Sequence, residues 1–252
     1  MDIADLPTRA PASVPAESLS ITDPPRCTFT GWTPEVFEML ARLRETPHID
    51  QYNKEKPDLH ELLKDPFKRY RDDLVVNWVL PSRLDFETER YVFSRLLKND
   101  FGAGGCHDNL WMAFYRPHTK RLKDVQISHR IDPDGFQVGI FVGAHATDLL
   151  RQAKQRIQQA PEVYLQHVNA CLRRDRWRFY YRTGRSEPTT HTDPLDALPD
   201  AVHNADGIWL RRFMPRDQVL DWGSDLVAEA LSAVRRVWPI YRFYLSDATV
   251  KS

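Results

Sequence analysis

The chain has 252 residues, 42% of them apolar and 11% aromatic, and its 35 Lys and Arg are balanced by 35 Asp and Glu. That apolar content suffices for one large domain or two small ones and excludes a chain disordered throughout. A formal net charge of zero excludes a global field that would steer the protein onto nucleic acid or a membrane, so any such role must come from local asymmetry.

Residues 1–25 carry Pro7, Pro11, Pro15, Pro24 and Pro25 among small and acidic residues, which reads as a disordered lead-in to a single domain over 26–252. The segment lacks the apolar core of a signal peptide. Thr33-Pro34-Glu35 opens a first helix, with Val36, Leu40 and Leu43 on its apolar face, and Pro47 stops it. A second helix is predicted over 57–77, broken or kinked at Asp65-Pro66. A third, over about 85–98, is expected to bury Phe86, Tyr91, Phe93 and Leu97 in part.

The period then changes. Residues 110–115 and 125–131 read as strands, Asp132-Pro133-Asp134-Gly135 as a turn, and Phe136, Val138, Ile140 and Val142 as the buried side of a third strand. Helices are predicted over 147–159, with a basic face, and over 161–172. A strand follows over 177–182, a loop over 185–206 and a strand over 208–213. A C-terminal amphipathic helix over 217–237 presents Leu220, Leu226, Val227, Ala230, Leu231 and Val234 and ends at Trp238-Pro239-Ile240, before an aromatic tail. N-terminal helices, a central antiparallel sheet and a closing helix make an α+β fold. The missing βαβ alternation argues against a doubly wound nucleotide fold.

Residues 29–74 carry Met39–Leu43 in a first helix, then Tyr52-Asn53-Lys54, then Pro66-Phe67; the pattern resumes over 135–168 and closes with Pro239 to Leu245. In these features the chain resembles the family called domain of unknown function 2461. The resemblance covers most of 29–245. It departs at 95–128, where the family's Arg-Phe-Ser-Lys-Asp-Lys-x-Pro-Tyr run is missing and "DNLWMAFYRP" and "KDVQI" stand instead. This variant resembles the version found N-terminal to McrB-like AAA+ motors of restriction systems. The chain has no Gly-x-x-x-x-Gly-Lys-Ser/Thr of its own. The resemblance implies a fold and supplies no catalytic residues.

Cys27, Cys106 and Cys171 are far apart and form no Cys-x-x-Cys; free thiols suit a cytoplasmic protein. No run of about 18 apolar residues is available to span a membrane. The nine histidines show neither His-x-x-x-His nor His-Glu-x-x-His, so neither a metal nor a cofactor is expected. Gly102-Ala103-Gly104-Gly105 lacks the Lys and hydroxyl residue of a phosphate loop and reads as a turn.

The basic middle carries more information. Arg116, His118, Lys120 and Arg121 cluster in one segment, and Arg151, Arg176, Arg178 and Arg182 fall in another, where Arg176 to Arg182 interleaves arginine with Trp177, Phe179, Tyr180 and Tyr181. Arginine suits backbone phosphates and aromatic faces suit stacked bases. In a strand the same alternation places aromatics in the core and arginines on a solvated face. The leading expectation is therefore a non-catalytic recognition or adaptor module, binding nucleic acid or an AAA+ motor supplied in trans. The alternative is an enzyme with a site around Cys106, His107, Asp108 and His118. A structural protein using an apolar C-terminal tail ranks third.

Overall fold

A computed structural model describes residues 7–245. Six strands form one sheet in the order β1-β2-β3-β6-β4-β5: β1 (Leu110–Phe114), β2 (Gln126–Asp132), β3 (Gly135–Gly143), β4 (Trp177–Arg182), β5 (Thr189–His191) and β6 (Gly207–Pro215). Every neighbouring pair is antiparallel. The expected turn joins β2 to β3, with Asp132 opposite Gly135 and Ile131 opposite Phe136. The α+β class and the antiparallel sheet are as the sequence predicts.

Helices α1 (Pro34–Glu45), α2 (Ile49–Asp58), α3 (Asp65–Leu74), α4 (Thr147–Gln159), α5 (Pro161–Leu172), α6 (Arg216–Trp222) and α7 (Leu226–Leu245) gather on one side of the sheet. The strand residues of that side, Ile127, Ile131, Phe136, Val138, Ile140, Leu210 and Phe179, are buried. Trp32, Phe67 and Tyr70 meet Phe136 in an aromatic cluster, and Trp238 packs edge-on against Trp78. Strand alternation dictates that the residues between them point the other way.

Four expectations are corrected. First, the second helix begins earlier, at Ile49, and is not broken at Pro66: the rod runs from α2 to α3 through a π-helical stretch, Leu59–Lys64, and continues as another, Val75–Val79. The wider turns shift the bonding register just before Pro66, where a missing N–H would otherwise interrupt an α-helical ladder.

Second, residues 85–98 form no helix. They run along the outer edge of β1 through the isolated bridges Glu87–Tyr115, Phe93–Met112 and Leu97–Cys106. Ser94 N donates to Trp111 O at 2.7 Å and Ala113 N to Val92 O at 3.1 Å. Unpaired edge groups of β1 thus take partners that a helix would have withheld. Phe86 is buried, Phe93 and Leu97 are half-buried, and Tyr91, 84% exposed at a φ of 55°, is not buried at all.

Third, the expected disordered lead-in is ordered over 7–25. Val14 and Leu19 are buried, Trp238 Nε1 donates to Val14 O at 2.8 Å, and Arg242 Nε donates to Ala12 O at 3.1 Å. Residues 1–6 of that segment lie outside the described residues. Fourth, the C-terminal helix is divided at Gly223, with φ at 51°, into α6 and α7, and α7 passes through Pro239 to Leu245. Burial of Trp238, Ile240, Tyr241 and Tyr244 outweighs the roughly 3 kcal/mol an internal proline costs. The aromatic residues expected in a tail are therefore core. Within the predicted loop over 185–206 lie β5 and a short 3-10 turn, Asp200–Asn204.

Candidate functional site

The sheet's second face is the notable surface. Register brings Trp111 opposite Arg130, Arg130 opposite Gln137, Gln137 opposite Phe213, Phe141 opposite Trp209, Trp209 opposite Tyr180 and Arg211 opposite Arg178. Each of these residues is half-buried, so their side chains lean on one another while one side stays wet. Two recesses of about 220 and 270 Å³ open on this face and share Arg130, Trp209 and Arg211. All their lining residues come from strands or the residues flanking them, Asn109 and Pro188 included, and none from a helix.

Glycines shape the surface. A methyl group at Gly143 would overlap the Phe141 ring, one at Gly207 the Trp209 ring, and one at Gly139 the backbone beside Arg211 and its Cγ. Their lack of a side chain lets Phe141 and Trp209 lie down over the sheet. The two rings stack at 4.8 Å with 17° between their planes.

Cations ring these aromatics. The Arg121 guanidinium lies 4.2 Å from the Trp111 ring centroid, Arg178 lies 4.5 Å from that of Phe213, and Arg182 lies 5.8 Å from that of Trp209. Such contacts hold arginine heads flat without neutralising them. Among the described residues none of Arg121, Arg178, Arg182 and Arg211 forms an ion pair; Arg130 alone of the face arginines does, with Asp132 at 3.2 Å. Burial, with help from the Arg130 charge, presses the Arg211 guanidinium down to about 9, and burial takes Arg121 down to about 10; both remain cations at neutral pH. Burial raises the Asp132 carboxyl, against the pull of Arg130.

Of the basic residues singled out from sequence, Arg121, Arg178 and Arg182 reach this face. Arg116 does not: it is bound to the buried carboxylate of Asp124, its Nη2 donating to Oδ1 at 2.7 Å and its backbone N to Oδ2 at 2.8 Å. His118 and Lys120 are exposed on the turn beyond β1, with His118 at a φ of 64°. Arg151 pairs with Asp148 one turn earlier on α4. Arg176 precedes β4 in a left-handed conformation and turns to Asp175 and to Gln218 of α6. The bland half of the alternation also holds, since Trp177, Phe179 and Tyr181 are core.

The alternative site does not assemble. Cys106 is buried, its thiol held 3.6 Å from His48 O and raised by burial. Burial lowers the neighbouring His107 imidazole. Asp108 accepts from Arg44 Nε at 2.7 Å. Cys106 precedes β1 and His118 follows it, so a five-residue strand separates them, about 17 Å at the rise of an extended chain. Among the described residues no group of three or more His, Cys, Asp or Glu is placed to hold a metal ion, and no helix is long and apolar enough to cross a membrane.

Sequence reasoning missed Trp111, Phe141, Trp209, Arg211 and Phe213 as a set. The parity of β6, with Trp209, Arg211 and Phe213 alternating against the buried Ile208, Leu210 and Met214, was the available signal. These features define the class: a two-layer α+β protein with helices on one side of an antiparallel sheet and arginines and aromatic rings on the other. No family model matches the chain, and no curated protein matches it significantly.

Proposed function

We propose that the protein is a recognition module that binds single-stranded nucleic acid across the second face of its sheet. One observation carries this reading: a stacked Phe141–Trp209 pair lies at the centre of a face whose Arg121, Arg178, Arg182 and Arg211 have no carboxylate partner among the described residues. Bases stack on aromatic rings and phosphates take arginine, and a flat, sequence-tolerant platform of both is what a single strand requires. Among the described residues no helix residue lines the recesses of this face, which suits an extended strand better than a duplex whose major groove a helix would read. The resemblance to domains that precede AAA+ motors supports a module that reads nucleic acid and leaves catalysis to a motor partner in trans.

The test is fluorescence anisotropy of a labelled mixed-sequence single strand. Charge reversal of Arg178, Arg182 and Arg211 together is expected to abolish binding, and wild-type affinity is expected to fall steeply with salt as the entropy gained by releasing counterions shrinks. Unchanged binding by the triple variant would overturn the reading.

A further inference from the structure

The recess nearer β1 is more than a basic hollow. Gln126 and Ser128, 1% and 4% exposed, form its floor. Gln126 Nε2 donates to Arg121 O at 2.8 Å. That bond fixes the orientation of the amide and leaves Oε1 as the unpartnered atom of a residue that lines the recess. Among the described residues Gln126 Oε1, Ser128 Oγ and Arg211 Nε are buried without a hydrogen-bond partner. A buried polar atom left unpaired is unfavourable, and three of them belong to residues lining one recess of about 220 Å³, where a ligand that reached them would complete the bonding. The walls are flat: Trp111 on one side, the stacked Phe141 and Trp209 on the other.

The chemistry of these atoms is directional. Gln126 Oε1 accepts only, so the ligand must present an N–H or O–H to it. Arg211 donates only, so the ligand must present an acceptor there. Ser128 serves either role. A planar ring bearing a carbonyl oxygen beside a ring N–H meets all three. Guanine has this edge, as do uracil and thymine. Adenine and cytosine place an exocyclic amine where the carbonyl should be, setting donor against donor at the guanidinium. We infer that this recess is a base-selective subsite for a keto nucleobase, guanine foremost, because O6 and N7 together suit an arginine fork. The inference rests on the proposed strand-binding face.

Two single strands that differ at one position, guanine or adenine in an otherwise all-cytosine context that offers no other keto edge of this kind, test it in the full chain, alongside GMP and AMP alone. The guanine strand is expected to bind at least about tenfold more tightly. Gln126→Leu, which keeps the volume and loses the acceptor, is expected to bring the ratio near one. Ser128→Ala, which disturbs the floor least, is expected to narrow the ratio. GMP preferred over AMP, and as tightly held as the guanine strand, would support the keto subsite and assign it to free nucleotides, overturning the strand reading. Tight binding of both strands with a ratio of one in the wild type would overturn the subsite and leave the strand reading standing. Binding of neither strand nor nucleotide would overturn both.

Discussion

Phe141 and Trp209, on adjacent strands, stack at 4.8 Å on a sheet face whose two recesses, among the described residues, are lined by no helix residue. Such a pair in a core would be closed over by a second layer. Among the described residues no helix residue lines the recesses beside this pair, and the rings are instead bordered by Arg182 and Arg211. Trp209→Ala and Phe141→Ala are each expected to weaken single-strand binding by about 1–3 kcal/mol, the worth of one stacked base. Titration of labelled oligonucleotide with each variant checks this. Loss of the folded near-ultraviolet circular dichroism signal would identify a variant that had unfolded rather than lost its ligand.

Arg116 and Arg151 separate charge from function. Arg116→Ala strips the partner from the wholly buried Asp124. It is expected to cost about 2–4 kcal/mol of stability, towards or below the lower end of the usual range because Arg116 itself is partly exposed. Affinity per folded molecule should not change. Arg151→Glu, on an exposed helix face, is expected to alter stability by less than about 0.5 kcal/mol and binding not at all. Urea melts and anisotropy on the same samples measure both.

His129 makes stability depend on pH. It is buried against Tyr70, whose Oη shares a 2.8 Å hydrogen bond with Nδ1, and burial pushes its imidazole down to about 3 from an ordinary 6.5. Between those values the unfolded chain takes up a proton that the folded one refuses. Stability is therefore lost as pH falls below about 6.5, by up to about 1.4 kcal/mol per unit from this group, until the folded value is passed. Above 6.5 the group contributes no slope. Denaturant midpoints from pH 7 to pH 4, compared between the wild type and His129→Gln, should differ in slope by that amount; parallel curves would remove His129 as the cause.

The N-terminal segment is expected to be part of the fold in energetic terms. Deleting residues 1–20 uncovers the sites of Val14 and Leu19 and leaves the buried Trp238 indole N–H without Val14 O. A loss of about 3 kcal/mol or more is expected, seen as a lower thermal midpoint than that of the full chain.

Local patterns were legible wherever one element decided its own shape. The β2–β3 hairpin followed from Asp132-Pro133-Asp134-Gly135 and the alternation after it, and α1 from Thr33-Pro34-Glu35. The failures share a cause: tertiary partners overrode local propensity. Residues 85–98 have helix-like spacing but complete the edge of β1, Pro239 sits in α7 because its neighbours are core, and a proline-rich lead-in is held by Trp238 and Arg242. For the candidate site, the arginine–aromatic alternation of β4 pointed to the sheet's second face through Arg178 and Arg182. Its centre, Arg211 with Trp209 and Phe141, was hidden because β6 reaches its place between β3 and β4 only through the sheet order, which no local pattern encodes.

Ultraviolet cross-linking of a single-stranded oligonucleotide to the full chain, with the attached residues located by mass spectrometry, tests the central claim most directly. Adducts are expected on Trp111, Phe141, Tyr180, Trp209 or Phe213, and on few residues elsewhere. Adducts confined to α4 or to the exposed turn around His118 and Lys120, with the sheet face unmodified, would contradict the account.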